Sequence, residues 1–359
     1  MVKVVGWGVG NMGKGILDML LKKKGIEVVG AIGRRTGVGK DIGELLGFDS
    51  PVGIRVENDA EKVLAETRPD VVILSISSYV RGVADEIGLC ARYGADVITI
   101  AEEMAYPFRT EPELSKKLDS LAKEMGITVL GTGVNPGFVL DSLIAALTYG
   151  TRSVRQIKAR RVNDLSPYGR TVMEEQGVGL SEVEFLEGVK DGRVHGHVGF
   201  LQSIPMIADA IGLEYDEIIE TREPIMSTVE RRTDLVHIMP GMTAGCSHSA
   251  VAYRNGVPVI ILEHPQQVRP ELEGIETGDF IDIYGDPDLH VVIRPETPGG
   301  IGTIASAVNI IPQVLSSPPG LLTMMDMSIP HCIMDDFRNH INKGGDIREG
   351  TKGDLGKDT

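Results

Sequence analysis

The chain is short of cysteine and of basic charge. Its three cysteines, Cys90, Cys246 and Cys332, stand far apart without a C-x-x-C pair, which argues against a disulfide framework or a thiolate zinc site. Lysine and arginine number 36 against 51 acidic residues, and the formal charge of -15 repels phosphate backbones and anionic lipid. We therefore expect a small molecule as the ligand, with no nucleic-acid or membrane partner.

Long apolar runs and targeting segments are also missing. No run reaches the length of a bilayer span, and no basic segment with a cleavage site precedes the first apolar strand, so we expect a cytoplasmic location. No metal site is predicted either. His195 and His197 form an H-G-H pair without a third ligand at a useful spacing, and we interpret them as surface or loop residues.

The first 140 residues alternate strand and helix patterns. Valine and isoleucine runs such as "VKVVGW" and "DVVILSIS" are separated by amphipathic stretches such as "NMGKGILDMLLKKKG". This alternation is typical of a parallel sheet covered by helices on both faces. The predicted fold class is therefore α/β, with an N-terminal Rossmann domain, a doubly wound parallel sheet, over residues 1–140.

A different pattern begins near residue 141. Longer, more polar strands such as "VRQIKARRVND" appear, and Asn255-Gly256 separates two strand-like runs as in a hairpin. We predict a second, α+β domain over 141–298 with a mixed or antiparallel sheet. A small-residue helix within 299–335, with Pro312 as a candidate kink, is predicted to return to the first domain, and 336–359 to form a frayed C-terminal tail.

A glycine motif follows the first strand and opens the first helix. In "VVGWGVGNMG", Gly8 permits a tight turn, Gly10 lets the backbone approach a pyrophosphate, and Gly13 allows close packing of helix on strand. The helix N-terminus supplies unpaired N–H groups to the anion. The motif predicts dinucleotide binding by the whole loop, including Val9, Asn11 and Met12.

The end of the second strand bears on the choice between NADP and NAD. Gly33 stands where an acid would bind the ribose 2'-hydroxyl, and Arg34 and Arg35 follow, a pair suited to a 2'-phosphate. NADP is therefore the predicted cofactor, with NAD also accepted; the alternative is that both arginines belong to a solvated turn. A later strand ends in a polar run that is predicted to face the same crevice and comprises Ser75, Ser77, Ser78 and Tyr79.

The strand "DVITIA" ends in two adjacent acids, Glu102 and Glu103, at the edge where the nicotinamide is expected. Because side chains alternate along a strand, we expect at most one of them to face the cofactor. Met104 follows them, so the lysine that assists alcohol oxidation in related dehydrogenases is absent. A carboxylate suits a different reaction, because it stabilises the cation that develops when hydride leaves a nitrogen-bearing carbon.

Several segments together resemble the 2,4-diaminopentanoate dehydrogenase family, which is related to native amine dehydrogenases and shares its layout with dihydrodipicolinate reductases. They are "GWGVGNMG", "TIAEEMAYPF", "GTGVNPGF", "ARRVNDLSPYG", "LEHPQQVRPE" and "TPGGIGTIASAVNIIP", and the resemblance covers residues 1 to about 335. It implies NAD(P)-dependent oxidative deamination of 2,4-diaminopentanoate at C4, giving 2-amino-4-oxopentanoate and ammonia. It also implies that residues 141–298 bind the substrate and pair two copies in a homodimer.

The resemblance also assigns roles to single residues. Glu102 becomes the catalytic carboxylate, with Glu103 as the alternative. The residues implied to bind the small zwitterionic diamino acid are Asn135, Arg161, Asn163, Tyr168, His264 and Thr303. We expect Arg161 to bind the α-carboxylate with help from His264, and its neighbour Arg160 to be solvated.

Two other functions are compatible with the same sequence. One is a dihydrodipicolinate reductase-like imine or enamine reductase; however, the corresponding stretch, "RRVNDLSPYGRT", lacks the histidines and lysine of that family. The other is a dinucleotide sensor without catalysis, for which Glu102 would have no chemical role.

Overall fold

The computed structural model describes residues 1–342. Its strands are β1 (Val2–Trp7), β2 (Ile26–Ile32), β3 (Val56–Glu57), β4 (Val71–Leu74), β5 (Asp96–Thr99), β6 (Thr128–Gly131), β7 (Val154–Asp164), β8 (Glu217–Met226), β9 (Arg231–Arg232), β10 (His237–Ile238), β11 (Thr243–Arg254), β12 (Val257–Gln267), β13 (Gly278–Gly285), β14 (Leu289–Ile293) and β15 (Gly320–Leu322). Its α-helices are α1 (Asn11–Leu21), α2 (Ile42–Leu46), α3 (Ala60–Thr67), α4 (Ala84–Arg92), α5 (Pro112–Met125), α6 (Ser142–Thr148), α7 (Arg170–Glu175), α8 (Glu182–Asp191), α9 (Phe200–Ile211), α10 (Gly299–Asn309) and α11 (Ile311–Val314).

The first domain contains the predicted parallel sheet. Its seven strands lie in the order β15-β6-β5-β4-β1-β2-β3, and every adjacent pair is parallel. Strand β4 is buried at all four positions, as expected of a strand covered on both faces. The strand order reverses between β1 and β4, so the carboxyl ends of these strands open a crevice in which α/β sheets bind ligands.

The second domain is built on a mixed sheet. Its six strands lie in the order β14-β13-β7-β12-β11-β8, with β7 and β12 parallel and the other pairs antiparallel. Asn255 and Gly256, with φ of 51° and 75°, form the tight turn between β11 and β12 that the sequence predicts. One face of the sheet packs against α6 and α9 in a core that includes Ile260, Leu262 and Phe200.

The chain then returns to the first domain. Helix α10 lies against α1, where a side chain on Gly15 would overlap Ile304. It ends at Asn309, and Pro312 lies in the first turn of the separate helix α11. Strand β15 pairs with β6, so the returning segment extends the sheet as well as covering it.

The predicted tail, 336–359, lies mostly outside the described residues. Its first part is packed, because Phe337 is fully buried and its backbone N–H bonds to the carbonyl of Lys24. Within residues 1–342, no helix is long and apolar enough to cross a membrane.

Candidate active site

The glycine loop lies at the carboxyl end of β1 and is held in a shape that only glycine allows. Gly8 has φ of 108°, and a Cβ there would overlap the carbonyl oxygen of Ser75. A Cβ on Gly13 would overlap the carbonyl oxygen of Gly8, whereas a Cβ on Gly10 would meet nothing within 4 Å. The loop therefore packs tightly on its inner side and leaves open space at Gly10, where α1 begins. This geometry fits a pyrophosphate at the helix N-terminus.

The other residues of this loop divide between packing and exposure. Val9 is buried, and its methyl group contacts the position of a Cβ on Gly33 at 3.1 Å. Asn11 is exposed and Met12 is half-buried in the first turn of α1. Val9 therefore serves packing, and the backbone of this segment with the Asn11 and Met12 side chains remains accessible to a ligand.

Arg34 and Arg35 follow β2 and are both exposed. The Arg34 guanidinium forms an ion pair with Glu86 at the start of α4. An anion at this position would compete with Glu86 for Arg34, whereas Arg35 has no ion-pair partner among the described residues.

The polar residues after β4, which the sequence predicts to face the cofactor, form hydrogen bonds mainly with backbone groups. The Ser75 hydroxyl lies 3.2 Å from the Gly8 carbonyl and braces the glycine loop, and Ser77 Oγ accepts a hydrogen bond from the Tyr79 N–H. The Ser78 carbonyl accepts the N–H of Glu103 at 3.0 Å. Tyr79 is 44% exposed and is the one large side chain of the run open to a ligand.

The two adjacent glutamates occupy a 3₁₀ turn, Glu102–Ala105, and have different partners. Glu103 Oε2 accepts the Val80 N–H at 2.9 Å and so caps the turn that follows Tyr79. Glu102 is half-buried, and the Ser78 side chain is its hydrogen-bonding neighbour. Glu103 is therefore committed to the backbone that follows β4, whereas the Glu102 carboxyl bonds to Ser78 and to its own backbone N–H. That at most one of the two faces the cofactor stays a prediction.

Burial raises the pKa of Glu102 above that of an ordinary carboxyl group, and the charges of Glu175 and Glu103 raise it further, against the opposing hydrogen bonds from its own backbone N–H and from Ser78. Glu175 ends α7 in the second domain, so the reacting edge receives negative charge from both domains. A carboxyl group with a raised pKa is a stronger base when ionised, which suits proton transfer near neutral pH.

The second domain places a connected set of polar side chains opposite this edge. His264 Nε2 lies 3.0 Å from Asn163 Oδ1, and Asn135 Nδ2 lies 3.4 Å from His264 Nδ1. Tyr168 also bonds to Asn163. Thr303 Oγ1 accepts the Val134 N–H at 3.3 Å, which brings α10 against the loop that carries Asn135. The residues assigned by resemblance are therefore brought together in space.

Within this set, His264 is held neutral. Burial, followed by the nearby charges of His197 and Arg161, keeps its pKa well below the usual histidine value. The orientation of Asn163 makes Nε2 the protonated nitrogen, since Oδ1 can only accept. Asn135 Oδ1 is buried and has no hydrogen-bond partner among the described residues, so it can accept a bond from a ligand.

Arg161 has a different environment from the one expected of a carboxylate ligand. Its side chain is 2% exposed, and Nη1 lies 2.6 Å from Oδ1 of the fully buried Asp279. Nη2 bonds to the Thr297 carbonyl, while Asp279 Oδ2 accepts the Thr297 N–H at 2.8 Å. The charge of Arg161 is thus compensated inside the fold, where it ties β7 to β13. Arg160 points to the other face and is exposed, as predicted.

His197 lies in a loop, as one of the two predicted alternatives has it, but it is buried and is not a surface residue. The loop before α9 folds inward, and the His197 ring packs edge-to-face against Phe200 and His264, with centroids 4.9 and 4.8 Å away. Its backbone N–H donates to Nδ1 of the buried His248 at 2.9 Å. His195 does lie in a loop and is half-buried. No group of three His, Cys, Asp or Glu residues in the described chain is arranged to hold a metal ion.

The fold and site define a Rossmann-type, NAD(P)-dependent dehydrogenase with a dihydrodipicolinate reductase-like layout. The family model for the N-terminus of dihydrodipicolinate reductase matches residues 2–99. Biliverdin reductase from Synechocystis, solved with biliverdin and NADP⁺, shares the fold with a TM-score of 0.53 at 12% identity, over 90% of this chain and 94% of that one.

Closer comparisons identify the particular group. The family model for the 2,4-diaminopentanoate dehydrogenase C-terminal domain matches residues 138–343. The 2,4-diaminopentanoate dehydrogenase of Acetoanaerobium sticklandii is 45% identical over 96% of this chain and 99% of the relative. The structure of an amine dehydrogenase from Mycobacterium smegmatis has a TM-score of 0.83 at 28% identity, over 93% of this chain and 98% of that one. This chain belongs to the 2,4-diaminopentanoate dehydrogenase family.

Proposed function

We propose that this protein catalyses the NAD(P)-dependent oxidative deamination of 2,4-diaminopentanoate at C4, giving 2-amino-4-oxopentanoate and ammonia. The observation that carries the proposal is the carboxyl of Glu102 just beyond the carboxyl end of β5, whose pKa is raised by burial, while the neighbouring Glu103 caps the Val80 N–H. The relative from Acetoanaerobium sticklandii, similar over nearly its whole length, is named for this substrate.

The glycine loop would hold the pyrophosphate of the oxidised cofactor, whose nicotinamide would supply the hydride acceptor for C4 of the substrate. Glu102 supplies the negative charge that stabilises the cation developing at the substrate nitrogen. The same carboxylate takes a proton from the water that attacks C4, so the C–N bond can break and ammonia can leave. Its raised pKa favours this proton transfer over that of an exposed glutamate.

The polar set of the second domain orients the substrate. Asn135 Oδ1 accepts a hydrogen bond from a substrate amine, and His264, Asn163, Tyr168 and Thr303 form the wall beside it. Because His264 is neutral, it does not repel the ammonium groups of a diamino acid. Arg161, which forms an ion pair with Asp279, contributes a positive charge close to His264.

The test is production of reduced cofactor from 2,4-diaminopentanoate at alkaline pH, with NADP⁺ and with NAD⁺. We expect turnover with both and ammonia released in equal amount to the reduced cofactor. If neither cofactor is reduced at saturating substrate, the proposed activity is wrong. In that case the protein is better explained as a dihydrodipicolinate reductase-like reductase or as a dinucleotide sensor without catalysis. Only the reductase would oxidise NADPH when an imine substrate is added.

We propose NADP as the preferred cofactor, with NAD also accepted. Support comes from the exposed position of Arg34 and Arg35 immediately after β2, with Gly33 in place of an acid. Replacing both arginines by alanine should raise the KM for NADP⁺ about tenfold or more, as expected for loss of a charge-assisted bond, and leave the KM for NAD⁺ within about twofold. Equal effects on both cofactors would contradict this preference.

We also propose a cytoplasmic homodimer that pairs through the outer face of the second sheet. Ile219, Val251 and Ile261 lie side by side on three strands of that face, and Ile219 is 46% exposed. The three cysteines are free thiols, as in a reducing compartment. Light scattering should give twice the chain mass, and Val251→Lys should give a monomer; a wild-type monomer at micromolar concentration would contradict the dimer.

A further inference from the structure

A cavity lies between the two domains, next to the polar side chains around His264. Its volume is about 320 Å³, and Tyr79 and Glu103 line it on the first-domain side. His197, Glu220 and Arg222 line it on the second-domain side. None of these second-domain residues was predicted from the sequence as part of a site. His197 also forms the partition between this cavity and His264, because the two rings are in edge-to-face contact.

Arg222 is positioned in this cavity with spare donors. Its Nε donates to the His195 carbonyl at 2.6 Å, and Nη2 lies 3.3 Å from Glu220 Oε2. These bonds fix the plane of the guanidinium but use only part of its five N–H groups. The side chain is 24% exposed, in contrast with the 2% of Arg161. Arg222 can therefore meet a ligand without first losing a partner.

His197 adds an unsatisfied polar atom to the same wall. The residue is 9% exposed, and its Nε2 has no hydrogen-bond partner among the described residues. A Cβ on Gly199 would lie 2.8 Å from this nitrogen, so the glycine keeps space open beside it. A protonated Nε2 lacks an acceptor and an unprotonated one lacks a donor. The carboxylate and ammonium of an α-amino acid can satisfy either form.

The charges of the cavity complement a diamino acid. Two carboxylates, Glu103 and Glu220, and one guanidinium, Arg222, line it. At neutral pH, 2,4-diaminopentanoate carries two ammonium groups and one carboxylate, the opposite pattern. Arg222 also has an acidic neighbour, Glu220, but at 3.3 Å and with both side chains partly exposed, whereas the pair of Arg161 and Asp279 is fully buried at 2.6 Å. Arg161 therefore gains less from a second carboxylate than Arg222 does.

We propose that Arg222, together with His197, binds the α-carboxylate of the substrate, and that this cavity is the subsite for its α-amino acid end. This inference rests on the proposed function for the identity of the substrate, and it assigns the carboxylate to Arg222 in place of Arg161. The α-ammonium then lies between Glu220 and Glu103, and the chain of the substrate leads toward Glu102.

The test compares ligands with and without a carboxylate in three arginine variants. Calorimetry with the NADPH-loaded protein, which cannot oxidise either ligand, measures Kd for 2,4-diaminopentanoate and for pentane-2,4-diamine. We expect Arg222→Gln to raise Kd for the diamino acid about 10- to 100-fold, as for loss of a charge-assisted bond, and to change Kd for the diamine less than about threefold. Arg254→Gln, at an exposed position on β11, is the matched control and should change neither.

Arg161→Gln separates the two assignments. If Arg161 holds the carboxylate, its variant will show the selective loss and Arg222→Gln will not, and the inference is overturned. Equal weakening of both ligands by Arg222→Gln also overturns it, because the effect then concerns the fold of the cavity. Should Arg222→Gln fail to fold, Arg222→Lys keeps the charge, and a selective increase in Kd for the diamino acid is still expected.

Binding and turnover fail in different ways. If the wild-type protein binds the diamino acid through Arg222 but produces no reduced cofactor, the subsite stands and the proposed reaction falls. If turnover is normal while Arg222→Gln binds both ligands as wild type does, the reaction stands and the subsite falls. If wild type does not bind 2,4-diaminopentanoate at all, both are wrong.

Discussion

The two sides of the active-site crevice are built by different means. The first-domain side is mainly backbone: Gly8, Gly10 and Gly13 shape a loop whose free N–H groups face the proposed dinucleotide. The second-domain side is a network of buried side chains, in which His264 bonds to Asn163 and Asn135 from distant parts of the chain. The backbone site tolerates no side chain at Gly8 or Gly13, whereas the side-chain site depends on matching of charges and hydrogen bonds.

The difference extends to charge. On the first-domain side, burial raises the pKa of Glu102, and the negative charges of Glu175 and Glu103 raise it further. The buried histidines opposite, His197 and His264, have pKa values lowered by burial and are neutral. In the proposed reaction, the negative side would stabilise the substrate cation, and the neutral side would orient the substrate.

The largest effect should come from Glu102. Glu102→Gln removes the charge that stabilises the substrate cation and should lower kcat about 10²- to 10⁴-fold, with cofactor Kd within about twofold. Steady-state rates and cofactor fluorescence titrations measure the two quantities.

Glu103→Gln should act chiefly on KM, because its carboxyl caps the Val80 N–H and lines the cavity. If Glu103→Gln lowers kcat more than Glu102→Gln does, Glu103 is the catalytic acid and the assignment of Glu102 is wrong.

The next largest effect is expected at the glycine loop, where a substitution should weaken binding of the cofactor. The Cβ of Gly13→Ala would overlap the Gly8 carbonyl, so the loop must shift and cofactor Kd should rise about 10-fold or more, equivalent to 1–3 kcal/mol of strain. Gly150→Ala is the matched control, since its Cβ would lie 3.7 Å from the Leu147 carbonyl oxygen. Unchanged cofactor affinity in Gly13→Ala would mean that the pyrophosphate does not lie at this loop.

The smallest effect should be a shift of the pH profile. Glu102 acts as a base only when ionised, so kcat/KM should fall as pH falls through its raised pKa. Glu175→Gln removes a negative charge that raises this pKa, and the acid limb should move to lower pH. Glu174→Gln, an exposed neighbour on α7, should leave the limb in place. A shift to higher pH in Glu175→Gln would contradict the electrostatic link between the domains.

The first-domain side was largely readable from the sequence, because its determinants are local. A strand, a glycine spacing and a helix start lie within a dozen residues, and the acids of Glu102 and Glu103 directly follow β5. The sequence could not reveal that the two acids enter a 3₁₀ turn, where Glu103 caps a backbone segment two dozen residues earlier in the chain.

The second-domain side was readable only in part, because its partners are far apart in sequence. The ion pair of Arg161 with Asp279 joins positions separated by 118 residues, and no local pattern indicates which acid compensates which arginine. His197 resembled a surface residue beside Gly196 and Gly199. The apolar start of α9, "FLQSIPMI", was the available signal that the preceding loop is drawn into the core.

Helix α10 touches both sides of the crevice. Its Ile304 fills the space that Gly15 leaves open beside the glycine loop, and its Thr303 receives the Val134 N–H next to Asn135. A movement of α10 would therefore shift both the glycine loop and the loop that carries Asn135. We therefore expect binding of the cofactor to change the affinity for the amine, and binding of the amine to change the affinity for the cofactor by the same factor.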